Sequence, residues 1–312
     1  MIARLFLLGA VAALGLACTE TSPPSPSGPF FGLTPTATPQ RLPFASSLDE
    51  YNAVWNAAGD AFFFTVNTPQ RSFMMESYLQ PDGRWSTPTA MPFSAAEHPD
   101  YDPFLSFDEQ RLYFSSRRPV DPDVRRSHVW YVDRVGERGW SEPVRVPLSD
   151  RTDLYTSLSR AGELYFNSWP GGGISRGIPS PEGYAVEALP EPINGHGRVA
   201  DPYISPDGDY LIFRGYGEDS LGRGDLFISF FVDGAWTPRQ NLGPTINSER
   251  HEMCPWVSAD GRWFTFASAR IDEPYEVADY PALVEKHHGA DNGQLDLYAI
   301  SADFIEALRP TS

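Results

Sequence analysis

One pattern of apolar and polar positions occurs five times along the chain. In each copy an alternating run of apolar residues is followed by a short turn, often Asp-Gly or a related pair, and then by a second run rich in aromatic residues. Alternation with a period of two is typical of β-strands, and the turn residues favour a hairpin between the two runs. The copies are AVWNAAGDAFFFT (53–65), PFLSFDEQRLYFS (103–115), TSLSRAGELYFNS (156–168), PYISPDGDYLIFR (202–214) and PWVSADGRWFTFA (255–267).

The copies recur at the spacing of propeller blades. Their equivalent turn residues, from Gly59 to Gly261, are 46 to 53 residues apart, which is the length of one four-stranded blade. Third strands are predicted at 225–229 and 296–300, with 128–132 as a looser copy. No long stretch has the 3.6-residue periodicity of an amphipathic helix. The pattern predicts an all-β protein made of a single β-propeller with five four-stranded blades.

Outer fourth strands are predicted at segments that begin with glycine, pass through a tryptophan and end in proline. Proline suits an outer edge strand because it has no N–H to donate inward. The outer strands of the blade around residues 174–194 are degenerate in this pattern. The predicted fourth-strand segments begin at Gly83, Gly139 and Gly234.

The two ends of the chain are predicted to share the last blade. The fifth copy is followed by a third strand and then only by SADFIEALRPTS (301–312), so its fourth strand is missing. We expect residues 40–44 to supply that strand and to close a ring of five blades. A six-bladed propeller is the alternative, and its extra blade would have to come from the insert 270–295, which has little strand pattern.

The chain begins with a different kind of segment. Arg4 precedes an apolar run of thirteen residues that ends at Ala17 and is too short for a permanent membrane span. This segment resembles the signal peptide of a bacterial lipoprotein, and the resemblance implies acylation of Cys18. The alternative is a secretory signal cut nearby that leaves Cys18 as a thiol. The next residues are rich in Pro, Ser and Thr and predict an extended linker. The predicted domains are a signal peptide (1–17), a tether (18–39) and the propeller domain (40–312).

The repeats carry a family resemblance. DPYISPDG (201–208), NLGPTINSE (241–249) and WVSADG (256–261) resemble the WD-like propeller repeats of the TolB type, found in bacterial envelope proteins. The resemblance covers residues 40–302 and implies a non-catalytic platform that binds other envelope proteins. TolB has a further N-terminal domain, for which this chain has no room, so a role in that particular system is not implied.

Acidic residues recur three positions before the copies. Glu50, Asp100, Asp153 and Glu252 occupy this position in four of them, and Val199 replaces it in the other. Since first strands line the channel of a propeller, these carboxylates are predicted to form a ring at its mouth, joined by Asp102 and Asp201. Such a ring would attract a cation or a basic group. The alternative is that the carboxylates bind turn and backbone N–H groups. Arg117, Arg214 and Arg270 are expected on the same face, where they can pair with the acids.

Histidines fall in the same inter-blade loops. Imidazoles and carboxylates on one rim are ligands for a divalent metal, although the offsets of the three histidines differ and no short ligand spacing is present. No cofactor is therefore predicted, with a divalent cation as the alternative. The candidate histidines are His98, His196 and His251.

Taken together, these features predict a non-catalytic, lipid-anchored protein that binds a protein or a small ligand through the face formed by the inter-blade loops. The alternative is a glycan-active hydrolase or lyase with carboxylates at the channel mouth. The formal net charge of −17 disfavours nucleic acid and anionic lipid as partners. The expected location is the bacterial cell envelope, in the outer membrane and facing the periplasm or the cell surface.

Overall fold

A computed structural model of the protein describes residues 30–94, 97–120, 126–169, 173–272 and 279–310. The lipidation site predicted at Cys18 and most of the predicted tether lie outside these residues. Within them, 22 strands form five separate antiparallel sheets of four or five strands. The innermost strand of each sheet contacts the innermost strand of the next, and the fifth contacts the first. The predicted five-bladed propeller is therefore confirmed.

The strands of the first half are β1 (Gln40–Arg41), β2 (Asp49–Trp55), β3 (Ala61–Asn67), β4 (Ser72–Tyr78), β5 (Thr89–Ala90), β6 (Asp100–Leu105), β7 (Arg111–Ser116), β8 (His128–Val135), β9 (Gly139–Trp140), β10 (Val144–Arg145) and β11 (Thr152–Leu158). Those of the second half are β12 (Leu164–Trp169), β13 (Ile174–Ser180), β14 (Gly183–Ala188), β15 (Val199–Ile204), β16 (Tyr210–Gly215), β17 (Asp225–Val232), β18 (Ala235–Trp236), β19 (Gln240–Asn241), β20 (Glu252–Val257), β21 (Trp263–Ser268) and β22 (Asp296–Ser301).

From the channel outwards, blade 1 is β2-β3-β4-β5, blade 2 is β6-β7-β8-β10, blade 3 is β11-β12-β13-β14, blade 4 is β15-β16-β17-β19 and blade 5 is β20-β21-β22-β1. The turns between first and second strands form one face, here called the turn face. The connections between second and third strands and between successive blades form the other, here called the loop face. Buried aromatic side chains such as Phe62, Phe114 and Phe264 fill the space between blades.

The N-terminal strand closes the ring as predicted. β1 pairs antiparallel with β22, with Gln40 opposite Ala299 and Arg41 opposite Tyr298. Arg41 also forms ion pairs of 2.7 to 3.0 Å with three aspartates of blade 5 and its insert. Backbone pairing and ion pairs thus join the two ends of the propeller domain.

The outer strands differ from the prediction in two places. The tryptophan segments form short hairpins on the third strands (β9 on β8, β18 on β17), and the outer strands begin only after the prolines. The reason is that proline lacks the N–H needed to continue a ladder. The outer strands of blade 3 are regular, not degenerate, since β13 and β14 pair at six positions. Their exposed, polar residues obscure the alternation in the sequence.

Part of the predicted tether packs against the propeller. Phe30, in a short 3-10 helix (Phe30–Gly32), stacks on Trp55 with ring centroids 4.0 Å apart and is only 8% exposed. Phe31 contacts Phe62 and Trp85. Farther along, the Ser301 N–H donates to the Thr36 carbonyl at 2.9 Å. Residues 30–36 therefore line the turn face between blades 1 and 5.

Three short helices complete the described part of the chain: α1 (Glu191–Asn194), α2 (Tyr280–His288) and α3 (Phe304–Leu308). α2 lies in the insert of blade 5, and Asp279 caps it by accepting a hydrogen bond from the Ala282 N–H at 3.0 Å. α3 follows β22, and its Ile305 is buried in the core. None of these helices is long and apolar enough to cross a bilayer.

Candidate binding site in the central channel

The first strand of every blade has the same backbone irregularity. Each contains a β-bulge at which one non-glycine residue has a positive φ of 51° to 59°. Side chains in this left-handed region cost about 1 kcal/mol each, so five equivalent cases indicate a feature required by the architecture. The five residues are buried, and they are Asn52, Asp102, Tyr155, Asp201 and Cys254.

These bulge residues meet on the propeller axis. Asp102, Tyr155, Asp201 and Cys254 belong to four different blades but interact electrostatically with one another. The Tyr155 hydroxyl donates a hydrogen bond of 3.1 Å to the Pro255 carbonyl, which spans the channel from blade 3 to blade 5. Because Pro255 lies one residue nearer the turn face than Cys254, Tyr155 forms a floor. The side chains around the axis on the loop-face side of Tyr155, which include Asp102, Asp201, Arg214 and His251, are here called the channel cup.

A buried ion pair lies in the channel cup. Arg214 Nε is 3.1 Å from Asp201 Oδ2, and both side chains are nearly inaccessible to solvent. Neither atom has a well-oriented hydrogen bond, so the attraction is mainly one of charge. Burial opposes the charge on Arg214, but Asp201 and other neighbours raise its pKa. Burial raises the pKa of Asp201 although Arg214 favours the ionised form.

Asp102 is the second carboxyl of the channel cup. Burial, followed by repulsion from Asp201, raises its pKa to about 8, although hydrogen bonds from Ser115 and Asn52 oppose the shift. One Asp102 oxygen accepts the Ser115 hydroxyl at 3.2 Å. At neutral pH Asp102 is therefore mostly protonated, whereas Asp201 faces a guanidinium.

His251 holds Arg214 in place. Arg214 Nη1 lies 3.0 Å from His251 Nε2, and since guanidinium is only a donor, that nitrogen accepts. Burial and then Arg214 lower the pKa of His251 to about 4, so the imidazole is neutral at pH 7. Its acceptor lone pair is occupied by the arginine. The same nitrogen is thus not available to a metal ion.

The rim on the side of blades 3 and 4 consists of aromatic and cationic side chains. The guanidinium of Arg198 lies 4.8 Å from the ring centroid of Trp169 and 5.9 Å from that of Tyr216. Arg198 is exposed, and within the described ranges no carboxylate lies within 4.0 Å of it. Its charge acts on both Asp201 and His251. Arg198 therefore faces the channel cup without a countercharge in contact.

The recurring carboxylates lie elsewhere, in local hydrogen-bonded loops. Glu252 accepts from the Ser248 N–H at 2.9 Å, from its hydroxyl at 2.5 Å and from the Ser268 hydroxyl at 2.7 Å. Glu50 and Asp153 accept in the same way from the serines four residues earlier, at 2.5 and 2.6 Å. Burial raises the pKa of each of the three. Each of these carboxylates therefore holds, by hydrogen bonds, the loop that leads into the first strand of its blade, here called the entry loop.

Asp100 follows a variant of this arrangement, because Arg118 Nη1 contacts its carboxylate at 2.5 Å. Two of the three arginines expected on this face pair with carboxylates of the predicted ring: Arg270 with Glu252 at 4.0 Å and Arg214 with Asp201 at 3.1 Å. Among the residues that the structure describes, no hydrogen bond or ion pair joins one of the four recurring carboxylates to another. The structure brings Asp102 and Asp201 together in the channel, with Glu50, Asp100, Asp153 and Glu252 in separate blade loops.

The three candidate histidines are also apart. His98 lies with Phe93, Arg118 and Trp140 in a cavity between blades 1 and 2, and His196 is exposed near Asp219. Only His251 reaches the channel cup. No group of three or more His, Cys, Asp or Glu side chains suited to a metal ion occurs in the described part of the chain.

Sequence reasoning missed most of the channel cup. Asn52 and Tyr155 sit in the first strands with no local sign of a left-handed backbone. The rim is formed by residues that are far apart in the sequence and become neighbours only in the folded blades: Trp169, Arg198 and Tyr216. One signal was present in the sequence: Val199 breaks the acidic repeat directly beside Arg198.

No protein-family model and no curated protein sequence matches the chain. Several solved structures are similar to it. TolB from Acinetobacter baumannii is 15% identical over 80% of this chain and 54% of TolB, with a TM-score of 0.47. Bacteroides ovatus xyloglucan PUL GH43B is 17% identical over 73% of this chain and 50% of that one, with a TM-score of 0.48.

A third similar structure is the catalytic domain of Coprinopsis cinerea GH62 alpha-L-arabinofuranosidase. It is 10% identical over 86% of this chain and 95% of that domain, with a TM-score of 0.49. This chain spans about half the length of the first two proteins. At these identities and scores the similarity carries no conclusion about the activity of this chain.

Proposed function

We propose that the protein is a non-catalytic, lipid-anchored platform of the bacterial envelope, exported and held at the outer membrane, which binds an envelope protein or a small ligand at the loop face. The observation that carries this proposal is the channel cup. Tyr155 crosses the channel on the turn-face side of the cup, and the rim carries Arg198, which has no carboxylate in contact within the described part of the chain. The recurring carboxylates, in contrast, are engaged by the serines and arginines of their own loops.

A photocrosslinking experiment in cells tests which face binds. The photoreactive residue replaces Glu218, exposed in a loop of blade 4 on the loop face, or Asp207, exposed in the turn of the same blade on the opposite face. We expect a discrete adduct with an envelope component from position 218 and none from position 207. Adducts from both positions alike, or only from position 207, would contradict a loop-face platform.

Anchoring at Cys18 has its own test. Acyl chains contribute about 0.8 kcal/mol per buried CH₂ group, so several chains together hold a protein on a membrane. Cys18→Ser is expected to release the protein from the membrane fraction or to block its processing. Fractionation and the intact mass of the mature protein report the result, with Cys254→Ser as the control for loss of a thiol. An unchanged amount of protein in the membrane fraction together with an unchanged mass would contradict the proposed lipid anchor.

A glycan-active enzyme is the second candidate, and one observation favours it. Asp102, mostly protonated at pH 7, and Asp201, beside Arg214, are two carboxyls of one channel in different electrostatic surroundings, as an acid and a base require. Both carboxyls are fully buried and committed to protein partners. Release of reducing sugar from envelope or plant polysaccharides, abolished by Asp102→Ala, would establish the enzyme in place of the platform.

A further inference from the structure

The repeat is broken at blade 4, on the loop face. In blades 2, 3 and 5 the carboxylate at the start of the first strand lies opposite a serine of the second strand. In blade 4 both partners are absent, because Val199 lies opposite Gly215. A side chain at Gly215 would collide with Arg239 and Phe227, which occupy that space. Blade 4 therefore cannot form the serine–carboxylate contact.

The break coincides with the cationic rim. The residue before Val199 is Arg198, and the residues on either side of Gly215 are Arg214, in β16, and Tyr216, directly after β16. Departures from a structural repeat concentrate where a protein binds its ligand, because the general architecture does not require them. In blade 4 Val199 stands in place of the acid, and Arg198 and Arg214 lie beside the Val199–Gly215 pair.

The charges of the channel cup do not cancel. Two guanidinium groups, Arg198 and Arg214, face two carboxyls, Asp102 and Asp201, whose pKa values burial raises, that of Asp102 to about 8, and the pKa of His251 is lowered to about 4. Arg214 is braced by Asp201 and His251. The cation left over is Arg198, whose planar group lies against Trp169 and Tyr216. This surplus stands out in a chain of net charge −17.

We propose that the channel cup binds a small ligand through an oxyanion, a carboxylate or a phosphate group, which Arg198 contacts at the blade 4 rim. The inference rests on the proposed binding function and names its ligand class. A guanidinium presents paired N–H donors that match the two oxygens of such a group. Trp169 and Tyr216 restrict the rotation of Arg198, which lowers the entropy cost of binding, and they offer apolar surface to the rest of the ligand.

Isothermal titration of the purified full chain tests the inference with a matched pair of probes. D-Glucuronate and D-glucose differ at one carbon, where the former carries a carboxylate, and inorganic phosphate tests an oxyanion without a ring. We expect glucuronate to bind, glucose to bind at least tenfold more weakly, and Arg198→Ala to weaken glucuronate binding at least tenfold. Arg198→Lys should retain part of the affinity, because the charge remains but the planar pair of donors is lost.

Arg151→Ala is the matched control, since Arg151 is an exposed arginine in the entry loop of blade 3, outside the channel cup. It should bind glucuronate as the wild type does. Binding of phosphate at the same site would make the site one for oxyanions in general and would support the inference. Equal binding of glucuronate and glucose, equal effects of the two alanine substitutions, or no binding of any probe would overturn it. If position 218 still forms a crosslink in that case, the proposed loop-face platform is still supported, and only the proposed ligand class is contradicted.

Discussion

Removing residues 40–48 is expected to destroy the cooperative unfolding transition, whereas removing residues 19–29 leaves it unchanged. The first deletion eliminates β1 and the buried Leu42, and it leaves β22 with an unpaired edge. It also strips Arg41 from Asp296, a carboxyl that is only 1% exposed. An uncompensated buried charge costs about 3–5 kcal/mol, and the lost apolar burial adds about 2 kcal/mol. The total approaches the whole stability of a typical domain.

Deleting residues 30–38 should give an intermediate result. It removes the stacking of Phe30 on Trp55, its tilted contact with Trp263 and the hydrogen bond between Ser301 and Thr36, but it leaves the blade complete. Burial of one phenylalanine is worth about 2–3 kcal/mol. Denaturant unfolding followed by tryptophan fluorescence measures all three deletions. Equal midpoints for the deletions of 19–29 and 40–48 would contradict closure of blade 5 by β1.

Asp102→Asn is expected to make the stability of the protein less dependent on pH and greater in alkaline solution. The pKa of Asp102 is about 8 in the folded chain against an ordinary value of 3.8, so the folded state holds a proton that the unfolded state releases. The contribution of Asp102 to the free energy of unfolding is fully present below about pH 4 and is lost as the pH rises to about 8. The loss is at most about 1.4 kcal/mol per pH unit. Asparagine does not titrate, so the substitution removes this loss of stability with rising pH.

Between pH 6.5 and 8, the difference between wild type and Asp102→Asn isolates this effect, because Glu50, whose pKa burial raises to about 7, titrates in both proteins. Buried His128 and His251, with pKa values near 4, act below this range and in the opposite direction, because burial favours their neutral forms. Urea unfolding at several pH values compares the wild type with Asp102→Asn. Asp233→Asn is the control, since Asp233 is exposed and has a positive φ that asparagine tolerates. Parallel pH profiles for wild type and Asp102→Asn would show that Asp102 is ionised in the folded protein.

The propeller was predictable from the sequence because each blade repeats the same local signals. Turn glycines such as Gly208 and Gly261 and alternating apolar residues depend only on neighbours in the chain. The pairing of an N-terminal strand with the last blade could be predicted because the sequence after the fifth copy shows a third strand but no fourth. The regular outer hairpin of blade 3 escaped detection because its solvent-facing residues are under little constraint from packing.

The role of the repeated acids could not be decided from the sequence. Identical spacing of Glu50, Asp100, Asp153 and Glu252 suits both a ring at the channel mouth and a repeated loop contact. The choice depends on side-chain direction at the start of each first strand, and the serines at positions 46, 149 and 248 engage three of these carboxylates. Asp102 and Asp201 reach the axis only because a bulge turns the backbone there. The residues at these bulges differ from blade to blade, so no local sequence pattern predicts them.

The pairing of β1 with β22 also determines the order in which the protein can fold. β22 is synthesised more than 250 residues after β1. During synthesis or export, blades 1 to 4 can form one after another by contacts local in sequence, which is the fast regime of folding. Closure must wait for β22, and until then β1 is an unpaired edge able to join strands of other chains. Ring closure is therefore the step at which delay would expose the protein to aggregation.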